Sequence, residues 1–255
     1  MKKVGVVLSG GGVRGFAHLG LLKYLDETGV KIHAISGVSA GAIVGALYAS
    51  GMSPEDILTA MKKNKYFSFS DFSIRKEGLF SMQPLLKALQ KLIPQDSFEK
   101  LSLNLFITAT DFTNNASVTF SKGRLFDAVI ASASVPVLFE PLKMDNKFFV
   151  DGGLLNNFPV EPLTDECDFI IGSHVNKITK SGTSKAALSK MRILETCFHM
   201  AIAETVYPKI DKCDLFIEPD LHPFSMFDTA AADKIFKEGY ETAEKYNEQL
   251  LKIAS

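Results

Sequence analysis

Cysteine is scarce, with three in 255 residues. Cys167, Cys197 and Cys213 are odd in number and widely spaced, which excludes a disulfide framework and a CxxC metal pattern and fits a reducing cytosol. An excess of charge of either sign is also missing. Lys and Arg number 28 against 29 Asp and Glu, for a net charge of −1 with no long like-charge run, so a nucleic-acid partner is not expected. No uninterrupted apolar stretch reaches the roughly 18 residues of a transmembrane helix, so any membrane contact should be peripheral to a cytoplasmic protein. The amino terminus starts with Met1, Lys2 and Lys3, but its apolar run is short and breaks at Ser9, Gly10, Gly11 and Gly12; it reads as a buried strand rather than a signal peptide. No His, Cys, Asp and Glu set has metal-ligand spacing, and no metal or other cofactor is expected.

What is present is a chain with 46% hydrophobic residues, enough for one α/β domain over residues 1–255 with a substantial core. Residues 4–9 form a β-branched run without alternation, the mark of a strand covered on both faces, followed by a helical pattern over 16–28 that Gly29 closes. A strand at 32–36 leads to a small-residue helix at 40–50. Ser53, Pro54, Glu55 and Asp56 then supply a cap, a first-turn proline and early acids for a helix to about residue 63. Residues 64–80 lose periodicity while keeping Phe67, Phe69, Phe72, Leu79 and Phe80; they suit either a lid or acyl-chain groove, or a loop whose rings fill gaps in the core. Helices at 82–92 and 125–132, strands at 103–111 and 118–121, and a hairpin over 143–150 turning at Asp145 and Asn146 come next. A strand at 169–174, a helix at 184–206, a strand at 215–218 and a terminal helix at 229–252 complete the chain. Strands alternating with helices predict a mostly parallel sheet with helices on both faces.

Gly37-Val38-Ser39-Ala40-Gly41 is a G-x-S-x-G sequence between a predicted strand and a predicted helix, the context in which a serine is held on a sharp turn with its hydroxyl above the strand ends. Gly10-Gly11-Gly12-Val13-Arg14-Gly15 follows the first strand and also satisfies G-x-G-x-x-G. A dinucleotide site would need an acid at the end of the second strand, which here ends in Ser36-Gly37-Val38-Ser39. Glycines leading into a helix can instead present their amides to an anion, and the oxyanion formed on attack by Ser39 is the natural one. Among possible bases, His18 lies one helical turn past the glycine loop and His174 at a strand end, whereas Asp151 opens Asp151-Gly152-Gly153. Asp111 and Asp145 suit a cap and a turn.

In that order, the triple-glycine loop with Arg14, the G-x-S-x-G and Asp151-Gly152-Gly153 resemble the patatin-like phospholipase family over residues 4–160. The resemblance implies a three-layer α/β/α fold and a dyad of Ser39 as nucleophile and Asp151 as proton acceptor. It also implies an oxyanion hole from the backbone of Gly10, Gly11 and Gly12. Gly37, Gly41, Gly152 and Gly153 then support the motifs, and residues 131–136 support the site without reacting. Arg14 suits either an anionic headgroup or an acid that fixes the loop. The chemistry alone predicts hydrolysis of an acyl ester, and the resemblance narrows the substrate to a phospholipid or lysophospholipid. Two other readings share the pocket: an acyltransferase or thioesterase using the same serine, and a lipid-binding regulatory protein without turnover. Oligomeric state is open from sequence.

Overall fold

The computed structural model describes residues 2–63, 80–178, 190–227 and 229–254. β1 (Val4–Leu8) is buried along its whole length, as a strand covered on both faces must be. A 3-10 turn at Gly12–Gly15 leads into α1 (Phe16–Thr28), which ends at Gly29 with φ 78, the left-handed cap that glycine adopts without a Cβ penalty. β2 (Ile32–Val38) feeds α2 (Ala40–Ala49). α3 (Pro54–Lys63) carries Glu55 and Asp56 in its first turn and Lys62 and Lys63 in its last, each matching the sign of the helix dipole. α4 (Gln83–Leu92), β3 (Asn104–Asp111), β4 (Ala116–Phe120) and α5 (Leu125–Ala133) follow. β5 (Leu142–Met144) and β6 (Lys147–Asp151) form the expected hairpin, whose turn residues Asp145 and Asn146 have φ 49 and 60, the paired positive angles that match strand twist.

β7 (Phe169–Ser173), α6 (Lys190–Val206), β8 (Leu215–Ile217), α7 (Ala232–Glu244) and α8 (Asn247–Ala254) complete the fold. Of the predicted loop over residues 64–80, all but Phe80 lies outside the described residues, as does the predicted start of the helix at 184–189. The single terminal helix expected from sequence is divided into α7 and α8. Tertiary packing makes this break: Tyr246 packs against the core, and Asn247 accepts a 2.8 Å hydrogen bond from the Tyr24 hydroxyl at the first position of α8.

The sheet runs β5-β6-β3-β2-β1-β7-β8, with β4 also on β3. β3, β2, β1, β7 and β8 are mutually parallel, while at one end β4 and β6 pair antiparallel with β3 and β5 pairs antiparallel with β6. One face carries Val6, Leu8, Ile35, Leu105, Ile107 and Ile171 into the main core, where α1, α2, α5 and α7 pack. The other carries Val7, Ala34 and Ile170 against Phe158, Val160 and Leu163 and against Ile202 and Val206 of α6. The chain is therefore an α/β sandwich of three layers.

The register on β3 brings two distant segments together. β2 pairs with β3 from Asn104 to Thr108, and β6 pairs with it from Ala109 to Asp111. Because β4 pairs with Ile107 through Asp111, overlapping both, β4 holds one edge of β3, and β2 and β6 share the other. They meet tip to tip: Val38 lies opposite Thr108 and Asp151 opposite Ala109. Residues 39 and 151 are thus neighbours at the point where two carboxyl-terminal strand ends abut.

Candidate active site

Ser39 takes φ 54 and ψ −121 between β2 and α2. A non-glycine residue there stores strain, and such strain persists only where the surroundings over-determine it. The amides of Ala42 and Ile43 donate to the Ser39 carbonyl. Ser132, on α5, accepts from the Ser39 amide at 2.8 Å and donates its own hydroxyl to the Thr108 carbonyl at 2.7 Å. Close backbone approach completes the turn. A Cβ on Gly37 would lie 2.6 Å from the Gly41 carbonyl oxygen, and one on Gly41 would overlap the Leu8 carbonyl.

Asp151 is pinned as firmly. Its amide donates to the Ser134 carbonyl at 2.8 Å, its carbonyl accepts from Thr110 Oγ1 at 3.0 Å, and its Oδ1 accepts from the Gly153 amide at 2.7 Å. Gly152 turns the chain so closely over Thr108 that a Cβ would overlap that residue's carbonyl oxygen. The carboxyl group is fully buried, and burial pushes its pKa up from 3.8 to about 6, against the lowering effect of the Ser39 hydroxyl and the Gly153 amide. Oδ2 makes no hydrogen bond of full geometry. The Ser39 hydroxyl is near enough to lower the carboxyl pKa without forming a complete hydrogen bond to Oδ2.

The glycine loop closes over the same point. A Cβ on Gly10 would lie 3.1 Å from the Ser39 Cβ, and Gly12 has φ 57. Among the described residues, no backbone carbonyl takes the amides of Gly10, Gly11 or Gly12, whereas those of Val13 and Arg14 are bound to Met226 and Gly11. Arg14 is 6% exposed; its Nε donates to the Phe224 carbonyl at 2.8 Å, and Nη1 lies 3.2 Å from His199 Nε2. The guanidinium thus ties the loop to the segment after β8.

The histidines considered as bases are occupied elsewhere. His18 Nε2 lies 2.8 Å from the Ser9 carbonyl oxygen, which can only accept, so Nε2 carries the proton and Nδ1 accepts from the Ser173 hydroxyl at 2.8 Å. Burial lowers its pKa to about 4. His174 Nδ1 bonds Glu218 Oε1 at 2.8 Å. Asp111 caps its own loop through the amides of Thr113 and Asn114. Two residues outside the sequence motifs do reach the site: Asn157 and Asn176, both buried, donate to the Gly10 carbonyl. Asparagine is so common in turns that neither position signals this from sequence. No three His, Cys, Asp or Glu side chains among the described residues are placed to hold a metal ion, and no described helix is long and apolar enough to cross a membrane.

Residues 6–164 match the family described as patatin-like phospholipase. An uncharacterized NTE family protein of Mycobacterium tuberculosis is 32% identical over 163 residues, which are 63% of this chain and 45% of that protein. Lysophospholipase NTE1 of Cryptococcus neoformans is 30% identical over 173 residues, 64% of this chain and 10% of that protein. The chain thus spans less than half the length of these curated relatives. Among solved structures, VipD from Legionella pneumophila aligns over 98% of this chain and 67% of its own with a TM-score of 0.56 at 19% identity. ExoU of Pseudomonas aeruginosa, in complex with SpcU, gives 0.50 at 18% identity over 98% of this chain and 53% of the matched one. At such identities the likeness is one of fold.

Proposed function

Because this chain belongs to the patatin-like phospholipase family, we propose that it is a serine carboxylic-ester hydrolase that cleaves fatty acyl esters of lipids. One observation carries the reading: a strained, nearly buried serine abuts a fully buried aspartate whose pKa is raised to about 6. An aspartate at its ordinary pKa is a weak base towards a hydroxyl, and burial moves it towards the working range. Ser39 Oγ attacks the ester carbonyl as its proton passes to Asp151, and the amides of Gly10, Gly11 and Gly12 hold the oxyanion. Collapse of the tetrahedral adduct expels the alcohol, which takes the proton from Asp151, and leaves an acyl group on Ser39. Asp151 then removes a proton from water, which attacks the acyl carbon; the second adduct collapses by breaking the Ser39 Oγ–acyl bond, Ser39 takes the proton back from Asp151, and the fatty acid is released. Ser132 and Gly37, Gly41, Gly152 and Gly153 hold this geometry.

The name of the fungal relative supports a lysophospholipid or phospholipid as the substrate class. β7 and β8 lie beyond the family match yet complete the parallel sheet, which supports reading residues 1–255 as one catalytic unit. The free cysteines Cys167, Cys197 and Cys213 suit a reducing compartment such as the cytoplasm, with peripheral contact to lipid. Arg14, bonded at both ends of its guanidinium, is better placed to fix the loop than to bind a headgroup.

The test is acid release from a short-chain p-nitrophenyl ester and from a lysophospholipid. Ser39→Ala and Asp151→Asn should each abolish measurable turnover, and wild-type kcat/KM should fall below about pH 6, the limb set by Asp151. Full activity in Asp151→Asn would remove the dyad, and an inert wild type would remove the hydrolase.

A further inference from the structure

Four side-chain atoms that lack a hydrogen-bond partner despite burial lie on the residues lining the sheet's carboxyl-terminal edge: Asp151 Oδ2, Asn157 Oδ1, His174 Nε2 and Asn176 Oδ1. Unpaired buried polar atoms are costly, and in a native structure each calls for a reason. For the two asparagines the reason lies at the other end of the amide. Asn176 Nδ2 donates to the Gly10 carbonyl at 2.6 Å, and Asn157 Nδ2 reaches the same oxygen at 3.4 Å. Each amide gives up its acceptor so that its donor can hold one peptide.

A peptide unit is planar and trans, so the Gly10 carbonyl and the Gly11 amide point in opposite directions. Asn157 and Asn176 are 1% and 2% exposed, and they draw the carbonyl into the protein. The Gly11 N–H, on the opposite side of the same peptide, therefore points away from the two asparagines. Both asparagines are themselves fixed. The Asn157 backbone N–H donates to Thr205 Oγ1 of α6 at 3.2 Å, and the Pro159 carbonyl accepts from Ser36 Oγ at 2.5 Å. Val175, next to Asn176, donates its amide to Ser9 Oγ at 3.1 Å. The Asn157 carboxamide also separates the two halves of the site. A Cβ on Gly10 would overlap its Oδ1, and one on Gly153 would lie 2.6 Å from that oxygen and 3.0 Å from Asp151 Oδ1. Glycine at both positions leaves room for this one side chain.

We infer that Asn157 and Asn176 are positioning residues that clamp the Gly10 carbonyl and so aim the Gly11 amide at the developing oxyanion, Asn157 also setting the spacing to the Asp151 loop. This rests on the hydrolase reading above. An oxyanion donor acts chiefly in the transition state, so its misalignment lowers kcat and leaves KM largely alone.

The experiment compares wild type, Asn176→Leu and Asn157→Asp in kcat and KM for a p-nitrophenyl ester. It also measures inactivation by a p-nitrophenyl alkylphosphonate, whose adduct on Ser39 places a charged oxygen in the same hole. Asn176→Leu keeps the side-chain size without the donor. It should lower kcat and the phosphonylation rate in parallel, by about 10- to 1,000-fold, the upper end being the loss seen when an oxyanion donor is removed outright. KM should stay within about twofold and the pH limb unmoved. Asn157→Asp should lower both rates as well and move the acid limb upward, because it sets a second carboxylate beside Asp151. Melting curves establish that each variant is folded, and Asn176→Ser and Asn157→Ser replace any that is not. Normal kcat with raised KM, or a kcat loss without a matching loss in phosphonylation, would overturn the clamp. An inert wild type would instead sink the hydrolase reading, which keeps the two failures separate.

Discussion

In the proposed mechanism, Asp151 is the residue at which function opposes stability. Its pKa rises from 3.8 to about 6 because burial outweighs the two hydrogen bonds that favour its charge, so near neutral pH the fold carries an anion it would hold more easily protonated. A shift of that size corresponds to roughly 2–3 kcal/mol at pH 7.5. Asp151→Asn keeps an acceptor for the Gly153 amide and removes the buried charge. The variant should therefore unfold at higher denaturant, by an amount of that order, while losing turnover. A lower midpoint in urea at pH 7.5 would mean that the charge is stabilised by something beyond Ser39 and Gly153. As a candidate this residue stood out in sequence, since Asp151 heads a motif and no histidine has a better claim. The asparagines did not: Asn157 and Asn176 lie in loops, their link to Gly10 spans 147 and 166 residues, and spacing holds no trace of contacts that arise only when β1 and β7 pair.

At the scale of elements, the strands and helices were readable because each has its own period and its own stop: the unbroken apolar run of β1, the left-handed cap at Gly29, the positive-φ pair at Asp145 and Asn146. How elements meet was less so. The tip-to-tip meeting of β2 and β6 on one edge of β3 depends on register, and nothing local to Ser39 or Asp151 encodes it. The same holds for α1 and α7. A Cβ on Gly239 of α7 would overlap the Ala17 carbonyl, and one on Gly20 of α1 would overlap the Phe236 carbonyl, so these helices cross at backbone contact through two glycines. Gly239→Ala must push them apart. It should cost about 1–3 kcal/mol, the usual range for overpacking, and lower the melting temperature by about 2–4 °C for each kcal/mol. Activity of the folded protein should stay near wild type, because α7 packs chiefly on α1 and not on the proposed dyad. An unchanged melting point would show that the crossing can relax, and a large loss of kcat below the melting point would show that α1 passes the strain to the glycine loop it follows.

Over the whole molecule, buried groups with opposite linkage contribute against one another to the response to acid. His18 and His199 are held neutral, chiefly by burial, with pKa values lowered from 6.5 to about 4. Their contribution is fully present above pH 6.5 and is lost as pH falls towards 4, because the unfolded chain takes up their protons first. Asp151 works the other way: its folded pKa lies above its unfolded one, so folding is favoured below 3.8 and that advantage fades as pH rises through about 6. Between pH 6.5 and 4 the two histidines therefore remove stability while one aspartate returns part of it. Calorimetry from pH 7.5 down to 4.5 should show a falling melting temperature, and in Asp151→Asn the fall should be steeper below pH 6, because the compensating group is gone. Parallel curves for the two proteins would mean that Asp151 does not titrate in this window. The same result would remove its claim to set the acid limb of activity, since in the proposed mechanism the proton that stabilises the fold and the proton that would silence Ser39 occupy one carboxylate.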